Sequence, residues 1–163
     1  MGQDIMIKDF QIKDLNELLQ VVKQQANEVG AGVGTLDNDL MIDYARKCVI
    51  DPNYKIILAT KDGAIEGYAL CQIFELYYNQ HREGNIELFH INQSHRNGFL
   101  AKSLFDACEQ FFKENDCVYF NASTRAFDTQ WHSNEDYLKS ADNFYSRLMT
   151  PCGTNYIKEI NNG

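Results

Sequence analysis

Between Ile91 and Ala101 the chain reads Ile-Asn-Gln-Ser-His-Arg-Asn-Gly-Phe-Leu-Ala, a polar, glycine-containing turn set between an apolar run and a helical pattern. Where a strand gives way to a helix, the exposed amides of the turn and of the helix N-terminus form a ready site for an anion. Just upstream stand two groups able to carry protons, Glu87 and His90. Strand alternation puts Glu87 on the face of Phe89 and Ile91, where it can relay a proton through water, and puts His90 on the opposite face. An imidazole titrates near neutrality, although a half-buried structural histidine fits the same pattern. A phenol with an ordinary pKa of about 10, Tyr145, lies on a later helical segment beside Phe144 and Leu148, where an aromatic side chain also serves a core.

The elements that must position these groups can be read from periodicity. Ile5–Ile12 alternates loosely, and Leu15, Leu18, Leu19, Val22, Ala26 and Val29 then fall on one helical stripe, with Asp14 and Glu17 at capping-box spacing. Gly30–Gly34 breaks that helix, and Asp37 or Asn38 can cap a second one that ends before Asp51-Pro52. Lys55–Thr60 and Ile65–Tyr78 read as strands joined by an Asp62-Gly63 hairpin turn, Asn79–Asn85 as a polar loop, and Ile86–Asn92 as a fourth strand. A helix carrying Leu100, Leu104, Ala107, Cys108 and Phe111 follows, then a strand at Cys117–Ala122, and this crossover implies that the two flanking strands run parallel. Asp136–Met149 reads as a last helix and Asn155–Ile160 as a last strand.

A chain of 163 residues, 44% apolar and 23% charged with two prolines, suits a single domain over residues 1–163 that is ordered throughout. Its net charge of −8 repels a phosphate backbone, so nucleic acid is not an expected partner. Cys48, Cys71, Cys108, Cys117 and Cys152 are odd in number and form no CxxC pair, which points to buried thiols in a reducing, cytoplasmic setting. The histidines at 81, 90, 95 and 132 lack metal-ligand spacing, so no metal is expected, and no run of about 18 apolar residues marks a membrane span. The stretch from Arg125 to His132 lengthens its connection beyond the usual range, and its Trp131 and His132 make it a candidate wall for a substrate.

The element order, with this turn after the fourth strand, resembles the GNAT family of acyl-CoA-dependent N-acyltransferases. Phe89-His90-Ile91 matches the family's strand end, and Arg96-Asn97-Gly98-Phe99-Leu100-Ala101 matches its coenzyme A pyrophosphate turn, with Arg96 at the family's arginine, Leu100 in its apolar slot and Ala101 at a tolerated final residue. Phe99 stands where a glycine is expected, so its side chain must point away from the phosphates or block them. Ala141 and Tyr145 hold the family's spacing for the tyrosine that protonates the departing thiolate, while Leu138 and Met149-Thr150 depart from its pattern.

The resemblance implies an α/β fold with a mixed, mostly antiparallel sheet, a splayed parallel strand pair and about four flanking helices. It implies acetyl transfer from acetyl-CoA to the amine of a small molecule or a protein by direct attack in a ternary complex. Tyr145 would be the acid and Glu87 the base, with a backbone amide near Phe89–Ile91 polarising the thioester carbonyl. Exposed sheet edges offer a route to a homodimer. The substitutions in the turn and last helix also fit a GNAT-shaped binding or structural module without coenzyme A binding.

Overall fold

The computed structural model describes residues 4–29, 38–75, 80–96, 98–122 and 135–151. The elements are β1 (Ile5–Asp9), a 3-10 turn (Ile12–Asp14), α1 (Leu15–Val29), α2 (Asn38–Ile50), β2 (Tyr54–Lys61), β3 (Ala64–Glu75), β4 (Arg82–Ile91), a second 3-10 turn (Gln93–His95), α3 (Phe99–Glu114), β5 (Cys117–Ala122) and α4 (Glu135–Ser146). The five strands form one sheet in the order β1-β2-β3-β4-β5. Every pair is antiparallel except β4 and β5, which the α3 crossover forces to run the same way. The mixed, mostly antiparallel sheet with four helices is the expected fold. The expected strand at Asn155–Ile160 lies outside the described residues.

The β2–β3 hairpin turns at Asp62 and Gly63, whose φ values of 50° and 86° are both positive, as its two-residue connection requires. β4 begins four residues earlier than periodicity suggests. Polar Arg82–Asn85 has little strand propensity, but β3 lies on one side of it and β5 on the other, and the two ladders override that preference. Arg82 secures this start, donating from Nη1 to the Asn115 carbonyl (2.7 Å) and from Nη2 to Asn53 Oδ1 (2.7 Å).

Two apolar layers cover the sheet. On one face Leu18, Val22 and Met41 of α1 and α2 pack on Ile56, Leu58 and Tyr68. On the other, Leu104, Phe105, Cys108 and Phe112 of α3 pack on Ile57, Ala69, Cys71 and Ile86, with Phe144 and Tyr145 of α4 against them. Of the described cysteines, only Cys71 and Cys108 are buried; Cys48 and Cys117 are partly exposed. Among the described residues no helix is long and apolar enough to cross a membrane.

The expected capping box divides between two duties. Asp14 ends a 3-10 turn and accepts from the Gln11 N–H (2.9 Å) and from Lys8 Nζ (2.8 Å), whereas Glu17 accepts from the Ile65 N–H (2.8 Å) and ties α1 to β3. Burial alone raises the Asp14 pKa, but the bonds from Lys8 and Gln11 and the fields of Lys8 and Lys13 outweigh it and hold the carboxyl below its ordinary value. Its contribution is therefore present above the unfolded value of about 3.9 and is lost as pH falls through the folded one. Asp14→Asn is expected to cost about 1–3 kcal/mol at neutral pH, measured by urea unfolding, with the difference from wild type vanishing only below about pH 4.

Candidate active site

β4 carries the site because its two sides have different neighbours along its length. The parallel ladder runs from Arg82 opposite Cys117 to Ile86 opposite Ala122. From Glu87 to Ile91, β4 has no β5 partner among the described residues, while β3 stays paired as far as Gly67 opposite Ile91. Among the described residues, backbone N–H groups in this stretch that are directed away from β3 have no ladder partner.

One extra residue in β4 decides which side chains meet along that stretch. Leu70 opposes Leu88, but Cys71 opposes Ile86, so Glu87 is the added residue of a β-bulge. Ile86, Phe89 and Ile91 therefore belong to the α3–α4 face, and Leu88 to the α1–α2 face. His90 is buried beside the Tyr68 ring, 5.9 Å between centroids, on that same α1–α2 face. Glu87 points that way too: its electrostatic neighbours are Lys47, Tyr44 and Cys48 of α2. The expectation that Glu87 shares a face with Phe89 and Ile91 and opposes His90 is thus corrected, because the bulge interrupts the alternation on which it rested.

Burial raises the Glu87 carboxyl above its ordinary value, and the positive field of Lys47 offsets this only in part. Burial, and then the field of Glu87, raise the Tyr44 phenol, whose O–H donates to the Cys71 carbonyl (2.8 Å). The Cys48 thiol is pushed up to about 12, chiefly by burial.

On the opposite face, the Phe89 ring stacks on Phe144 (5.4 Å, planes at 26°) and meets the Tyr145 ring edge-on (6.1 Å, 64°). α4 thereby brings Tyr145 to the C-terminal part of β4, within an aromatic cluster that also includes Phe105. Tyr145 also ends its helix, its carbonyl accepting from the N–H groups of Leu148 and Met149.

The turn leading to α3 is held at both ends. Asn92 donates its backbone N–H to the Glu66 carbonyl (2.8 Å) and its Nδ2 to Glu66 Oε2 (2.7 Å), and Arg96 Nε donates to the Ile91 carbonyl (2.9 Å). Gly98 is the N-cap of α3 in extended conformation; it makes no side-chain cap bond to the first-turn amides, and no acidic residue stands in that turn. Among the described residues, a Cβ on Gly98 would meet only the His95 carbonyl within 4 Å, at 3.8 Å. Leu100 and Ala101 are buried in the core and can offer a ligand only their amides, while Phe99 is 72% exposed and lies outside the core. This donor set suits an anionic pyrophosphate. Asn97, Trp131 and His132, and the side chains of Leu138 and Ala141, lie outside the described residues. Among the described residues no group of three or more His, Cys, Asp or Glu side chains could hold a metal ion.

The residues that sequence reasoning missed are Glu66, Asn92, Tyr44 and Lys47. Glu66 and Asn92 were concealed because they meet across two strands; the polar Asn92 at the mouth of the turn was the one available signal.

The chain matches the model of the acetyltransferase (GNAT) family over residues 16–130, more than half its length, and belongs to that family. Members use acetyl-CoA and act on amine acceptors. Solved structures of similar fold include an aminoglycoside N-acetyltransferase in complex with CoA (TM-score 0.75, 16% identity, covering 100% of this chain and 98% of that one). Another is the glucosamine-6-phosphate N-acetyltransferase from Arabidopsis thaliana (0.71, 15%, 97% and 99%). A third is the ribosomal-protein-alanine N-acetyltransferase from Brucella melitensis biovar Abortus 2308 (0.69, 16%, 97% and 100%). At these identities the likeness concerns the fold. No match was found among curated protein sequences.

Gly67 is required by the close approach of β3 to the splayed end of β4: a Cβ there would lie 2.7 Å from the His90 carbonyl and 2.5 Å from Ile91 Cδ1. Gly67→Ala is expected to destabilise the fold by about 1–3 kcal/mol in urea unfolding, against under about 1 kcal/mol for Gly98→Ala.

Proposed function

We propose that this chain transfers an acetyl group from acetyl-CoA directly to the amine of an acceptor held with it in one ternary complex. The observation that carries this reading is the placement of a carboxylate and a phenol on opposite faces of β4, beside the stretch that has no β5 partner among the described residues. Amine and leaving thiolate need separate proton partners, and a strand between them keeps the two from exchanging protons directly.

Bound acetyl-CoA supplies an activated acyl carbon at its thioester. The first-turn amides of α3, with Arg96 beside them, hold the pyrophosphate, and amides of Leu88–Ile91 directed away from β3 polarise the thioester carbonyl. Glu87, whose raised pKa makes it a better base than an ordinary carboxylate, takes a proton from the acceptor amine through water. The amine nitrogen forms a bond to the acyl carbon, the carbon–sulfur bond breaks, and the Tyr145 O–H gives its proton to the sulfur. The acceptor then approaches from the α1–α2 face, where Tyr44 and Lys47 flank Glu87. Aminoglycoside, amino-sugar phosphate and protein N-terminal amines, the acceptor types of the similar structures, are the classes to try first.

The exposed Phe99 at the motif glycine position supports a second reading, a binding module without coenzyme A affinity. A thermal-shift titration separates the two. A ligand that binds only the folded state must raise the melting temperature with concentration, so acetyl-CoA raises it if the transferase reading holds. If millimolar acetyl-CoA left wild type unmoved and Phe99→Gly acquired a shift, the module reading would replace it.

With the best acceptor of that panel, thiol release should fall about 10²-fold in Tyr145→Phe and in Glu87→Gln. Because the Glu87 pKa is raised, wild-type kcat/KM falls as pH drops through that raised value, and the Gln variant should lose this acidic limb. An unchanged limb would remove Glu87 from the base role.

A further inference from the structure

The turn that would hold the donor's phosphates is anchored by a neighbouring strand as well as by its own. Opposite β2, Ala59 faces Gly67 and Thr60 faces Ile65, so Glu66 is the added residue of a second bulge, in β3. Released from that ladder, Glu66 serves the start of the turn instead. Its carbonyl accepts the Asn92 N–H (2.8 Å), its Oε2 accepts from Asn92 Nδ2 (2.7 Å), and the same oxygen lies 3.5 Å from His95 Nε2. Asn92 and His95 are in turn linked, the His95 N–H donating to the Asn92 carbonyl (2.8 Å), and Asn92 Oδ1 meets His90 Nε2 at 3.2 Å.

One carboxylate thus grips both ends of the three-residue 3-10 turn between β4 and Arg96. The Glu66 side chain is only 22% exposed, and a charge-assisted bond in such a setting is stronger than one in open water. From this geometry we infer that Glu66 is a positioning residue: it sets the path of Asn92–His95 and so fixes where Arg96 and the first amides of α3 stand. Glu66 does not touch the reacting atoms. The inference rests on the reading of that turn as the donor-phosphate site, and the predicted consequence is control of donor affinity rather than of proton transfer.

The test compares wild type, Glu66→Ala and Glu66→Gln by amide hydrogen exchange and by CoA titration calorimetry. Glu66→Ala should raise exchange of the amides from Asn92 to Ala101 about tenfold with α1 and β1–β2 unchanged, and should weaken CoA binding by about tenfold. Glu66→Gln, which can still accept from Asn92 Nδ2, should recover CoA affinity to within about threefold. Wild-type exchange in Glu66→Ala, or a Gln variant as weak as the Ala variant, overturns the inference. If wild type itself bound no CoA, the transferase reading would fail and the exchange comparison would decide the role of Glu66 alone. Should Glu66→Ala not fold, Asn92→Ala removes the other half of the same bond and is judged by the same two criteria.

Discussion

β4 and β5 run in the same direction, and the site follows from that constraint. Parallel neighbours cannot be joined by a hairpin, so α3 must leave the end of β4, cross one face of the sheet and return to β5. The crossover puts the N-terminus of a helix beside the end of β4. The described parallel ladder runs to Ile86 opposite Ala122, and the next five residues of β4 are held on the β3 side. A helix end of the kind that suits an anion and a stretch of β4 with no partner on the β5 side among the described residues are thereby adjacent without any side chain having to create them.

The two bulges then set which side chains flank that stretch. The extra residue Glu87 turns a carboxylate toward α2 while Phe89 and Ile91 stay with α3 and α4, and the extra residue Glu66 frees another carboxylate to bind the turn after β4. Acidic residues stand at both interruptions, where the ladder no longer dictates which way a side chain and a carbonyl must face. The aromatic contact of Tyr145 with Phe89 completes the arrangement from the far side, tying the last described helix to the strand that carries the bulge.

Periodicity made the elements and the parallel pair legible, because apolar stripes such as Leu104, Cys108 and Phe111 reflect burial directly. It could not reveal the bulge. A single residue added to a strand leaves composition untouched and reverses the face of every side chain beyond it, which is why Glu87 was expected beside Phe89 and stands beside Lys47. The spacing of Asp14 and Glu17 likewise matched a cap, yet Glu17 binds a strand amide 48 residues away. Arg82–Asn85 looked like loop because strand propensity is local, whereas its pairing with β3 and β5 is not. The turn residues Arg96, Gly98 and Phe99 were legible as a motif, and the structure adds that the Phe99 ring lies outside the core.

The central claim is that the α3 N-terminus and the splayed end of β4 together form the acyl-donor site. Titrating uniformly 15N-labelled protein with CoA and following amide resonances tests it most directly. The account predicts saturable shifts concentrated in the amides of Leu88–Ile91 and Gly98–Ala101, with β1 and β2 little affected. Saturable binding whose shifts cluster elsewhere, or no shifts at millimolar CoA, would contradict it.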